Sequence, residues 1–153
     1  MIVVSDTSPI TALLTVGQGG LLSQLFGEVI IPPAVESELL RTHPVLPAWL
    51  IARPIRDQAK AVLFGQTVDR GEAEAIVLAE ELHADHLLID ERKGRRLARQ
   101  QGLPIVGLLG IVLLAKRAQF IPSARALLDA LDRQAGIYLS NELKEAALKV
   151  VGE

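Results

Sequence analysis

Short apolar runs alternate with helical stretches along the chain, and that alternation restricts the fold more than any other feature. Residues 2–5, 28–31, 86–90 and 104–106 are β-branched or leucine-rich runs bounded by turn or helix-start residues, the signature of short buried strands. A helix begins where the Ser8 hydroxyl can cap ahead of Pro9 at the first helical position. Further helical patterns cover 21–26, 33–41, 71–83, 92–101, 108–117, 123–134 and 141–150. Residues 42–70 are patterned more weakly: 53–56 read as an edge strand and 59–64 as a helix. Strands that are apolar on both faces need cover on both faces. The expected fold is therefore α/β, a three-layer α/β/α sandwich with a central, mainly parallel sheet. A chain of 153 residues fits one domain spanning residues 1–153, with helices from about residue 123 packing on it or on a partner.

Right-handed crossovers place every strand-to-helix turn on one edge of such a sheet, and ligands bind at that edge in open sheets. Asp6 ends the first apolar run and Asp90 ends the third, so both carboxylates are expected there. In "DRGEAEAIVLAEEL", helical angles put Leu78, Leu82, Ala75, Ala79 and Ile76 on one apolar stripe. Glu72 falls inside that stripe, whereas Glu74, Glu80 and Glu81 fall outside it. Asp69 with Glu72 also fits a capping box. In "IPPAVESELLR", Glu36 and Glu38 both neighbour apolar residues, and periodicity does not choose between them.

Composition narrows the function classes. The chain has no cysteine, which excludes disulfides and thiolate metal sites and fits a cytoplasmic protein. No apolar run approaches the roughly 18 residues of a membrane span, and no basic segment precedes Ile2 as a signal peptide would require. The net charge of −2 argues against a basic nucleic-acid binder overall. Charge is uneven, however: Arg92, Lys93, Arg95, Arg96 and Arg99 crowd together directly after Asp90. Such a run is either a solvated helix face or a phosphate-binding surface. One Trp, one Tyr and three Phe leave little for base stacking, so strong sequence readout is not expected.

The ordered motifs "VVSDTSPI", "IPPAVESEL", "GEAEAI" and "LLIDERKGRRLA" resemble those of PIN-domain nucleases. More narrowly they are similar to the prokaryotic PIN proteins related to VapC toxins whose first motif reads D-T-S-P. The likeness runs from residue 1 to about 110. It implies a shared metal site built by Asp6, Glu38, Glu72 and Asp90, and thereby selects Glu38 over Glu36. The third acid is often Asp in toxin-type PIN domains and is Glu72 here. Glu91 can substitute for its neighbour, and Thr7 and Ser8 can support a ligand carboxylate or cap the first helix. Crowded carboxylates need a neutralising cation. Oxygen-only ligands favour a hard ion, Mg²⁺ or Mn²⁺. The resemblance further implies metal-dependent endoribonuclease activity leaving 5′-phosphate and 3′-hydroxyl ends, contact of the basic run with RNA, a small antitoxin partner and a homodimer.

Two other readings are weighed. A phosphoaspartate phosphatase resembles D-x-D after its first strand, and position 8 here is Ser, not an acid. A PIN-like module that binds RNA or protein with weak or no turnover is distinguished by metal independence. His83 and His86 straddle an expected helix end and read as a surface turn, not a metal pair. "GQGG" at 17–20 lacks the spacing of a dinucleotide fingerprint and reads as a loop.

Overall fold

The computed structural model describes residues 1–153. Its elements, in chain order, are β1 (Val3–Ser5), α1 (Thr7–Thr15), α2 (Gly20–Phe26), β2 (Val29–Ile31), α3 (Pro33–Thr42), β3 (Leu50–Ala52) and α4 (Gln58–Phe64). They continue with α5 (Arg70–Glu81), β4 (His86–Leu88), α6 (Arg92–Gln100), β5 (Ile105–Val106), α7 (Leu108–Arg117), α8 (Ala124–Ala135) and α9 (Asn141–Val150). Five parallel strands form one sheet in the order β3-β2-β1-β4-β5. The chain steps outward from β1 to β3, then crosses back beyond β1 to β4. The strand order therefore reverses between β1 and β4, where Val4 stands beside Leu87. A crevice opens at such a point, outside the carboxyl ends of the strands.

Helices cover both faces, as the apolar strands require. Successive strand residues point to opposite sides, so Val3 and Leu88 join one core with Ile10, Leu13, Ile111 and Leu131. Val4 and Leu87 join the other with Ile76, Phe64, Ile89 and Leu97. The C-terminal helices lie on the first core: α8 packs against α1 and α7, and α9 against α7. No helix is long and apolar enough to cross a membrane.

Three local expectations are corrected. The edge strand lies at Leu50–Ala52, not at 53–56. Leu50 is buried and pairs with Val29, and the Arg53 N–H still reaches the Ile31 carbonyl at 2.9 Å. Pro54, which has no N–H, ends the ladder there. The first helix begins at Thr7, with Asp6 in the N-cap position, so Ser8 lies inside the first turn and its hydroxyl caps nothing. Glu74, placed outside the apolar stripe of α5, is buried. Its Oε1 accepts the Ala34 N–H of α3 at 3.0 Å and its Oε2 lies 3.2 Å from Arg70 Nε. The apolar stripe describes only the face against the sheet, and α3 covers a second face of α5.

The histidines occupy separate surroundings. His83 takes a left-handed turn (φ 51°), while His86 sits on β4 with its ring 6.0 Å from that of Phe26. The glycine run at 17–20 is a turn leading into α2, with Gly17 at φ 73°.

Candidate active site

The turns after β1 and β4, the first turn of α5 and the middle of α3 converge on the crevice. Asp6 is placed by the sheet itself, because its N–H bonds the Leu88 carbonyl at 2.9 Å and extends the β1–β4 ladder by one step. Asp69 caps α5 by accepting the Glu72 N–H at 2.8 Å, which orients the first turn of that helix. Both expectations for Glu72 are thus realised together: its backbone sits in a cap, and its side chain is buried in the core-facing stripe.

The resulting cleft holds about 330 Å³ and is lined by Asp6, Glu38, Asp69, Glu72 and Glu91, with the hydroxyl residues Thr7, Ser8, Thr11 and Thr15. Two glycines give the carboxylates room. A methyl group at Gly71 would stand 2.5 Å from Glu38 Oε1 and 3.4 Å from Asp6 Oδ1, so these two carboxylates approach the same point on α5. A methyl at Gly94 of α6 would stand 2.1 Å from Glu72 Oε2.

Burial and crowding shift the acids in one direction. Burial pushes the Asp6 carboxyl up to about 7; the Thr7 N–H opposes this, and the charges of Asp69, Glu38 and Glu91 add to it. Glu72 is pushed up to about 8, first by burial, then by the adjoining Asp69 carboxylate and the charges of Asp6 and Glu91. Three polar atoms of the cleft residues are buried without a partner: Thr7 Oγ1, Ser8 Oγ and Glu72 Oε2. Such groups cost free energy unless something binds them.

A family model described as "DUF3368: PIN domain" matches residues 2–153. The chain belongs to the PIN-domain family. No curated protein matches it. PIN domains are generally nucleases and usually use divalent metal ions.

In this PIN domain the donor set fits a hard cation. Asp6, Glu38, Glu72 and Glu91 supply oxygen atoms, the unpartnered hydroxyls of Thr7 and Ser8 can hold ligated water, and a cation would offset the burial and the mutual repulsion that raise Asp6 and Glu72. As the side chains stand, no three acids bring their oxygens to a common ligating point.

Asp90 stands apart from this group. Its Oδ1 accepts the Leu108 N–H at 3.1 Å, at the start of α7, and its carboxylate lines the neighbouring cavity with Arg95. Glu91, one residue on, faces the acidic cleft in its place. Sequence reasoning missed Asp69 as a cleft residue, although its capping role was legible three positions ahead of Glu72. It also missed Gly71 and Gly94, whose lack of a side chain carries no signal of what fills the space. The basic residues Arg92, Lys93, Arg95, Arg96 and Arg99 lie on α6, directly beyond Glu91, and none forms an ion pair.

Proposed function

We propose that this PIN domain is a metal-dependent endoribonuclease that hydrolyses RNA phosphodiester bonds. The observation that carries the reading is the acidic cleft at the β1–β4 crossover, where Asp6 and Glu72 are buried with carboxyls raised to about 7 and about 8. Asp6, Glu38, Glu72 and Glu91 would hold Mg²⁺ or Mn²⁺, with Asp90 fixing the turn from which Glu91 projects. When bound, such an ion lowers the pKa of a water and neutralises charge developing on phosphorus. The protein's own part is to hold the carboxylates ionised around the ion and to orient the attacking water through Thr7 and Ser8. The unpaired cations Arg92, Lys93, Arg96 and Arg99 of α6 meet the phosphates of the entering strand without reading its sequence, and Arg95 faces the RNA from the other side of the helix.

The test is incubation of the purified chain with single-stranded and structured RNA in Mg²⁺, Mn²⁺ or EDTA, with Asp6→Asn alongside. Cleavage that stops on chelation and in Asp6→Asn, leaving 5′-phosphate and 3′-hydroxyl ends, is the expected result. Cleavage surviving both would remove this mechanism.

The same reading makes the protein a VapC-like toxin acting in the cytoplasm as a homodimer, with a small antitoxin covering the cleft. Exposed Phe120 and Val150 offer apolar surface for such contacts. Growth arrest on expression, relieved by a neighbouring reading frame, tests the toxin role, and light scattering tests the dimer.

One observation favours a second reading, an RNA-binding module with little turnover: the carboxylates share a cleft without converging on one point. That module would bind RNA equally well in EDTA and cut none in Mn²⁺.

A further inference from the structure

A second cavity, of about 470 Å³, adjoins the acidic cleft and shares Ile137 with it. Its walls are mostly aliphatic, from β5, α7, α8 and the segment before α9, and the ring of Tyr138 stands 80% exposed on its lining. Two charged side chains enter this apolar space. Asp90 and Arg95 flank Gly107: a methyl group there would stand 3.2 Å from Asp90 Oδ1 and 3.3 Å from Arg95 NH1. They nevertheless form no ion pair with each other, and Arg95 Nε is buried without a partner. The carboxylate spends one bond on the Leu108 N–H and retains acceptor capacity.

An occupant must therefore present a hydrogen-bond acceptor to Arg95, donors to Asp90 and flat apolar faces to the walls. A purely aliphatic protein segment would leave Arg95 without an acceptor and shut both charges away from water with no group to pair them. We propose that this cavity is a nucleobase subsite that takes guanine from the RNA strand lying in the cleft, a proposal that rests on the ribonuclease reading. Guanine carries O6 and N7 acceptors, and its N1–H and N2–H₂ donors stand side by side as a carboxylate requires. Its faces suit aliphatic walls and the Tyr138 ring. Because Glu91 faces the cleft and Asp90 faces this cavity, the base held here belongs to a nucleotide next to the phosphate over the acids.

Saturation-transfer NMR on the metal-free chain with guanosine, inosine, adenosine, cytidine and uridine tests binding apart from activity. Guanosine is expected to bind best, and inosine, which lacks the N2 amino group, roughly tenfold more weakly. Arg95→Met and, separately, Gly107→Ala should abolish the preference while circular dichroism stays unchanged. Equal saturation of all nucleosides, or of none, overturns the proposal. So does binding of an alkyl detergent in the cavity without any nucleoside, which would give the site to an apolar protein segment. Short RNAs with one guanosine at varied positions supply the second arm. Cleavage indifferent to its position removes the subsite and leaves the nuclease; guanosine binding without any cleavage removes the nuclease and leaves the subsite.

Discussion

Glu74 Oε1 accepts the Ala34 N–H at 3.0 Å, so a buried carboxylate on α5 closes the N-terminal end of α3. The helix that carries Glu38 is thereby pinned to the helix that carries Glu72. Arg70, which completes the arrangement at 3.2 Å, has a side chain that is 84% exposed, so its ion pair contributes little. Glu74→Ala should cost about 2–3 kcal/mol, because the Ala34 N–H loses its acceptor in a buried place. Glu74→Gln keeps an acceptor and should cost less than half as much. Urea unfolding measures both, and equal losses would mean that the hydrogen bond to α3 is not what matters.

Asp6 should weaken the fold as pH rises. The unfolded chain releases this proton near 3.8 and the folded chain near 7. Between those values the unfolded state holds fewer protons, so stability falls with increasing pH. Removing the carboxylate as Asp6→Asn should raise the melting temperature of the metal-free chain at pH 8 by roughly 5–10 °C. The gain should fade by pH 4, and Mn²⁺ should stabilise the native sequence more than the variant. A melting difference that ignores both pH and metal would show that the Asp6 charge is not a burden on the fold.

Two glycine replacements should separate in effect although both lie in helices and face carboxylates. At Gly94 a methyl meets Glu72 Oε2 at 2.1 Å and Ile89 Cδ1 at 2.7 Å, and both neighbours are buried side chains with little room to move. At Gly71 the sub-3 Å approach is to Glu38 Oε1 at 2.5 Å, the far end of a half-buried side chain that can swing outward. Alanine gains at most about 1 kcal/mol of helix propensity at either place, since both glycines lie in a first turn. Gly94→Ala should still destabilise by about 1–2 kcal/mol. Gly71→Ala should leave stability within about 0.5 kcal/mol while displacing Glu38 and weakening Mn²⁺ binding. Chemical denaturation and calorimetric metal titration check the pair; the reverse ranking would defeat the steric argument.

The layers, the parallel sheet and the edge carrying Asp6 were legible because apolar strands alternate with helical patterns, and that period survives any detail of packing. Glu72 was legible for the same reason, since it falls on the α5 stripe. The parts that were not legible depend on contacts between distant segments. Glu74 looks solvent-facing until α3 arrives from forty residues earlier with an unsatisfied N–H. Asp90 and Glu91 are chemically alike neighbours, and what separates them is the Leu108 N–H, eighteen residues downstream, which takes the Asp90 carboxylate into the second cavity. The first residue of α1 escaped because Ser8–Pro9 mimics a cap, whereas the ladder bond from Asp6 to Leu88 decides where the strand hands over to the helix.

The cations of α6 other than Arg95 should act as phosphate contacts and not as structural partners. Arg92, Lys93, Arg95, Arg96 and Arg99 form no ion pair, so the fold draws no salt-bridge support from them. They are also not equivalent. Lys93 and Arg96 border a polar hollow with Gln66, Thr67 and Gln100, whereas Arg95 turns to the apolar cavity on the other side of the helix. Replacing Lys93 and Arg96 together by alanine should leave unfolding unchanged and weaken binding of single-stranded RNA whatever its sequence. Each phosphate contact to a single strand contributes about 0.7 to the slope of log affinity against log salt, so the double variant should lose about 1.4. Fluorescence anisotropy with labelled oligouridine in EDTA, across a series of KCl concentrations, reads that slope without interference from cleavage or base preference. An unchanged slope would place the RNA path away from this face of α6, and a loss confined to one sequence would mean that these side chains read bases instead.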